Sequence, residues 1–198
     1  MDDDCKRQVQ ALIKAGAWSE AHRLLGALDD RNDVDWLMAS ATVDSELGQP
    51  AYALAALKKV LVTRPRDTVA LREASLVASE CDEHDDAAKF LEELLCIEDE
   101  NATILNDLAF EYNEIGRHVA AHLAASRAEL LAGDEEQRCT ARINDAASLA
   151  NMGRTPDALQ RVAELLSQCT GACGQREAAE ELQENLRLPR AKRAAADA

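Results

Sequence analysis

The chain has 198 residues, a net charge of −15 and a pI near 4.6; 47% of its residues are apolar, enough for a continuous core and too many for a chain disordered throughout. Aromatics are only 3% while alanine supplies 38 residues, which favours close-packed helices and disfavours a β-sandwich or barrel. So acidic a body repels phosphate backbones and anionic lipid, which removes nucleic acid and membrane surfaces from the expected partners.

The start, Met1 to Lys6, has no basic residue followed by an apolar stretch, so no secretory signal is expected. The apolar run Tyr52 to Leu57 falls far short of the ~20 residues that span a bilayer, so no membrane insertion and a cytoplasmic location are expected. Cys5, Cys81, Cys96, Cys139, Cys169 and Cys173 are scattered, which is not a disulfide framework.

Five segments in chain order carry a turn residue followed five places later by alanine. They begin at Gly16, Gly48, Asp82, Gly116 and Gly153, and the alanines are Ala21, Ala53, Ala87, Ala121 and Ala158. A period near 34 with helical patterning on both sides marks a helix-turn-helix repeat. The repeats run over about 2–30, 33–65, 67–99, 101–133 and 136–169. Small residues pair within them (Ala41 with Ala53, Ser75 with Ala87, Ala109 with Ala121, Ala146 with Ala158) where two antiparallel helices must cross closely. Asp33, Asp67, Asn101 and Asp134 stand at helix starts as candidate caps, and Thr155-Pro156 reads as a cap followed by a first-turn proline. A further helix, about 174–187, sets Ala178, Ala179, Leu182 and Leu186 against Glu177, Glu180, Glu181 and Glu184, as a solvating end cap should. Residues 189–198 are expected to be a disordered basic tail. With Arg187, that end carries +3 of the −15 total, leaving −18 on residues 1–186.

The fourth segment reads Leu105-x2-Leu108-Ala109-x2-Tyr112-x2-Ile115-Gly116, then Ala121, Ala125 and Ala128. It resembles the tetratricopeptide repeat (TPR) family, in the order large, large, small, aromatic, turn glycine, small. The second and fifth segments keep parts of the same pattern, and the departures are Asp82 at one turn, a closing proline only at Pro65, and a weak first repeat around Cys5 and Val9. The resemblance implies an all-α, right-handed superhelical solenoid of about five repeats plus a capping helix, a single domain over 1–186, with a concave face built from the first helix of each repeat.

On that register the concave face carries Asp35, Met38, Thr42 and Ser45, then Arg72, Leu76 and Glu80, then Thr103, Asn106, Phe110 and Asn113, and finally Thr140, Ile143, Ala147 and Asn151. Asparagine amides suit a peptide backbone and Leu76, Phe110 and Ile143 offer apolar pockets. The expected peptide-binding groove is therefore Met38, Thr42, Arg72, Leu76, Asn106, Phe110, Asn113, Ile143 and Asn151.

Chemistry-bearing patterns are sparse. His118 and His122 share a helix face, but no third ligand follows at Ser126 and HExxH is absent. Cys169 and Cys173 lack CxxC spacing, the acidic runs 82–86 and 134–136 lack the EF-hand ligand order, and there is no P-loop, dinucleotide glycine fingerprint or GxSxG elbow. No enzyme activity, metal or cofactor is expected. Lys6, Lys14 and Arg72 lack the asparagine arrangement of a carboxylate clamp for chaperone tails. The expectation is an interaction module or adaptor for a peptide or helix of another protein, with the acidic field favouring a basic one. The alternatives are a chaperone similar to the type III secretion TPR chaperones and a self-assembling homo-oligomeric scaffold.

Overall fold

A computed structural model describes residues 3–27, 33–168 and 175–188, and these are all-helical, with no strand among them. Cys169, Cys173 and the basic tail beyond Leu188 lie outside the described residues. The chain divides into two compact units, Met1–Ile97 and Glu98–Ala198.

Unit 1 contains α1 (Asp3–Lys14), α2 (Trp18–Ala27), α3 (Val34–Glu46), α4 (Pro50–Thr63), α5 (Thr68–Glu80) and α6 (His84–Leu95). Its helix starts are encoded locally. Asp33 accepts the Trp36 N–H at 2.9 Å, and Asp67 accepts those of Val69 and Ala70 at 3.2 and 3.1 Å, satisfying donors that a first turn leaves orphaned. The turns inside the helix pairs need a left-handed residue. Gly16 and Gly48 supply it at φ +67° and +69°, and Asp82 takes the same conformation at +58°. The small pairs Ala41/Ala53 and Ser75/Ala87 are buried, so the paired helices cross closely. Leu37, Leu54, Leu57, Val60 and Val77 fill the core around them, and Val9, Ala21, Leu25 and Val43 form a second cluster with Trp18 and Trp36.

Unit 2 contains α7 (Ala102–Glu114), α8 (His118–Leu131), α9 (Glu135–Asn151), α10 (Thr155–Gln168) and α11 (Gln175–Arg187). Asn101 caps α7 through the Thr103 and Ile104 N–H groups. Asp134 caps α9 through Gln137, whose side-chain oxygen accepts the Gly133 N–H at 2.9 Å in return. Ala109/Ala121 and Ala146/Ala158 are buried at the crossings, and α11 lays Ala179, Leu182 and Leu186 on a core of Cys139, Leu149, Val162 and Leu165. Ala178, grouped with that face in the sequence pattern, is exposed.

Candidate functional site

In unit 1 the first helices present Thr42 on α3 and Val69, Arg72 and Leu76 on α5 as exposed side chains. Val69, Arg72 and Leu76 fall at i, i+3 and i+7 and so share one helix face. Leu76 is 58% exposed, a large apolar side chain left in water. Met38 is half-buried and packs against the core beneath rather than standing free in a groove. Asp35 is ion-paired with Lys6 at 2.5 Å, joining α1 to α3.

In unit 2 Phe110 is 45% exposed on α7, at the position that Leu76 holds in its own repeat, 34 residues earlier. Asn106 and Asn113 are a correction. Both are turned toward α9 rather than offered to a peptide: Asn106 is buried and donates to the Gln137 carbonyl at 3.1 Å, while Asn113 donates to Ser148 Oγ at 3.0 Å and to the Asn144 carbonyl at 3.4 Å. Asn144 answers by donating to the Asn106 carbonyl at 2.9 Å, and the Gln137 amide reaches Thr103 Oγ1 at 3.3 Å. These bonds form an amide zipper between successive first helices. The signal for it was present, because 106 and 113 on α7 and 137 and 144 on α9 are both seven apart and the rows are offset by 31. Ile143 is likewise half-buried against the α9–α10–α11 core, and Asn151 is exposed at the end of α9.

An ionic cluster ties α8, α9 and α10 together. Arg142 Nε donates to Glu129 at 2.6 Å, Arg161 Nε donates to Asp145 at 2.8 Å, Arg161 also pairs with Glu129, and His122 pairs with Asp145. Burial opposes the charge on Glu129. The Arg142 hydrogen bond and the Arg161 and Arg142 charges outweigh it and hold its pKa below the usual glutamate value. Burial likewise pulls against the Arg161 charge, but Glu129 and Asp145 raise its pKa above the ordinary arginine value. In unit 1, Lys58 on α4 bridges Glu83 and Asp86 at the start of α6 at 2.8 and 2.7 Å. The Asp86 bond, then the Glu83 bond, raise its pKa, and the Lys58 bond lowers that of Asp86.

The other chemistry-bearing residues are separated. His122 is engaged with Asp145, His84 lies 3.9 Å from Asp82, and the described residues hold no group of three or more His, Cys, Asp and Glu side chains placed to grip a metal. Cys139 is buried, and burial together with Glu83, Glu80 and Asp82 pushes the Cys81 thiol up, away from the reactive thiolate. No described helix is long and apolar enough to cross a membrane.

No protein-family model matches the sequence, and no curated protein matches it. Solved structures of MamA are similar to the chain. MamA AMB-1 is 21% identical with a TM-score of 0.68, over 91% of this chain and 98% of that one. MamA 41-end from Desulfovibrio magneticus RS-1 is 20% identical with a TM-score of 0.72, over 84% of this chain and 96% of that one. At this identity the likeness shows the fold, a TPR-like helical repeat.

Proposed function

We propose that the chain is a non-catalytic interaction module that holds an extended or helical segment of another protein against the first helices of its repeats. The observation that carries this reading is made in each unit by itself: in unit 1 Val69 and Leu76 are exposed apolar side chains on one face of α5 with Arg72 between them, and in unit 2 Phe110 is exposed on α7 at the place Leu76 holds in its own repeat. In unit 1 Arg72 supplies a polar contact one turn before Leu76 on the same face of α5, and in unit 2 the amide zipper fixes α7 against α9 so that little ordering is required when a segment docks on Phe110. The net charge of −15 favours a basic segment and speeds its encounter.

The test is photo-crosslinking in native lysate from a benzoylphenylalanine placed at 76 or at 110, with position 62 on α4 as the control. Adducts to one protein from 76 and 110, absent from 62, support the reading. Equal adducts from all three, or none from 76 and 110, refute it. If the adduct is a second copy of the chain, the module is a self-assembling scaffold.

A further inference from the structure

Unit 1 has a concavity formed by α2 and α4 over α3, lined by none of Thr42, Val69, Arg72 and Leu76. It is a cleft of about 380 Å³ whose lining includes His22, Trp36, Ser40, Asp44, Tyr52 and Ala56. Asp44 lies at its floor, 6% exposed. Its carboxylate accepts from Ser40 Oγ at 3.3 Å and stands 3.2 Å from His22 Nδ1, and among the described residues no lysine or arginine pairs with it. A buried carboxylate with one hydroxyl on one oxygen and one imidazole on the other keeps acceptor sites open to a charged donor.

Unit 2 shows what fills such sites. The alanines at the helix crossings put Ala21, Ala41 and Ala53 in register with Ala121, Ala146 and Ala158. His22 then corresponds to His122, and Ala56 to Arg161. In unit 2 His122 pairs with Asp145, and the Arg161 guanidinium closes the site by bonding both Asp145 and Glu129. In unit 1 a methyl group stands at the arginine position, Ser40 stands at that of Asp145, and the carboxylate comes from Asp44 one turn further along α3. The side chain that would fill the site is missing and the space is open.

We propose that this cleft binds an arginine side chain presented by a partner protein, with its guanidinium on Asp44 and its plane against the aromatic wall. Trp36 forms part of that wall and is locked in place, its indole N–H donating to the Leu25 carbonyl at 3.1 Å. Tyr52, 69% exposed at the rim, is placed to cover an entering side chain. Arginine fits better than lysine because a planar, weakly hydrated cation both stacks on aromatic faces and donates in a fork to a carboxylate. Lys59, exposed, is the one lysine or arginine among the lining residues, and its charge opposes any cation that enters.

The experiment uses the full chain labelled with nitrogen-15 and reads the Trp36 indole N–H signal during titration with N-acetyl-arginine ethylamide, its citrulline analogue and its lysine analogue. The arginine probe shifts the signal saturably, the lysine probe binds more weakly, and the uncharged citrulline probe has no effect. Asp44→Asn weakens the arginine probe by about tenfold, the size of one lost charged hydrogen bond. Ala56→Arg supplies the missing guanidinium from within, so it abolishes binding while keeping the fold and raising the urea midpoint; it carries the test if Asp44→Asn does not fold. Lys59→Ala tightens binding. Equal shifts with arginine and citrulline, retained binding in Ala56→Arg, or weaker binding in Lys59→Ala would each overturn the proposal. Removal of residues 189–198 leaves the Trp36 signal unmoved; a shift on truncation would put the chain's own tail in the cleft and overturn the assignment to a partner.

Discussion

Arg161→Met tests whether the ionic cluster of unit 2 holds α10 to its neighbours. The substitution keeps most of the aliphatic stem, so packing changes little and the loss is electrostatic. It removes the bonds to Glu129 and to Asp145, whose side chain is only 5% exposed. Breaking a buried pair from one side costs about 3–5 kcal/mol, because the partner is left buried without compensation. Arg142 still neutralises Glu129 at 2.6 Å and His122 still faces Asp145, which places the expected loss near the lower end, at about 3 kcal/mol. The assay is urea unfolding followed by far-ultraviolet circular dichroism. Hydrogen exchange on α8, α9 and α10 accompanies it, since two compact units need not unfold together. Asp145→Asn in the Arg161→Met background removes the orphaned charge and should recover more than half of the loss. A single-variant loss below about 1 kcal/mol, the range of exposed pairs, would refute the reasoning.

Asp82 holds a left-handed backbone at φ +58° where the matching turns use glycine, so Asp82→Gly relieves strain of about 1–2 kcal/mol. Part of this is offset by the greater freedom of the unfolded chain, and a net gain of about 0.5–1 kcal/mol in urea unfolding is expected. Asn113→Ala breaks the zipper bonds to Ser148 and Asn144 and should cost about 1–2 kcal/mol, with faster hydrogen exchange confined to α7 and α9; unchanged exchange there would show that the zipper is idle. The lowered Asp86 and Glu129 pKa values give stability that is complete above their unfolded values of about 4 and lost as pH falls through the lower folded ones. The raised Lys58 pKa gives stability present below its unfolded value of about 10.4 and lost as pH rises through the folded one. Circular dichroism in constant urea across pH should therefore show both limbs, and Lys58→Met should flatten the alkaline limb and the Asp86 share of the acid limb.

Much of the fold is written in short range. The caps at Asp33, Asp67, Asn101 and Asp134 act within three residues of themselves, and the turn glycines answer a local demand for positive φ, so reading along the chain finds both. The crossing alanines and Ser75 are legible because only small residues fit where two helices touch. What periodicity supplies is an angle around a helix axis, and that angle does not say whether a neighbouring helix covers it. Asn106 and Phe110 sit four apart on α7, near enough in angle to be read as one surface, yet α9 takes up the first and leaves the second exposed. Leu76 and Phe110 were readable as outward-facing because each directly follows the small residue at a helix crossing, one step off the packed seam.

In a chain built from repeats, the more telling sequence signal is a difference between positions that the fold makes equivalent. His22 and His122 agree, as do Ala53 and Ala158, which fixes the register without knowledge of any contact. Against that fixed background Ala56 and Arg161 disagree by a whole charged side chain, and each is accompanied by a buried carboxylate on the preceding first helix, Asp44 or Asp145. One unit answers its carboxylate internally with a guanidinium; the other leaves a cleft beside it. The same steric and electrostatic rules that make Arg161 a structural residue in α10 make its absence from α4 a reason to look for an external cation.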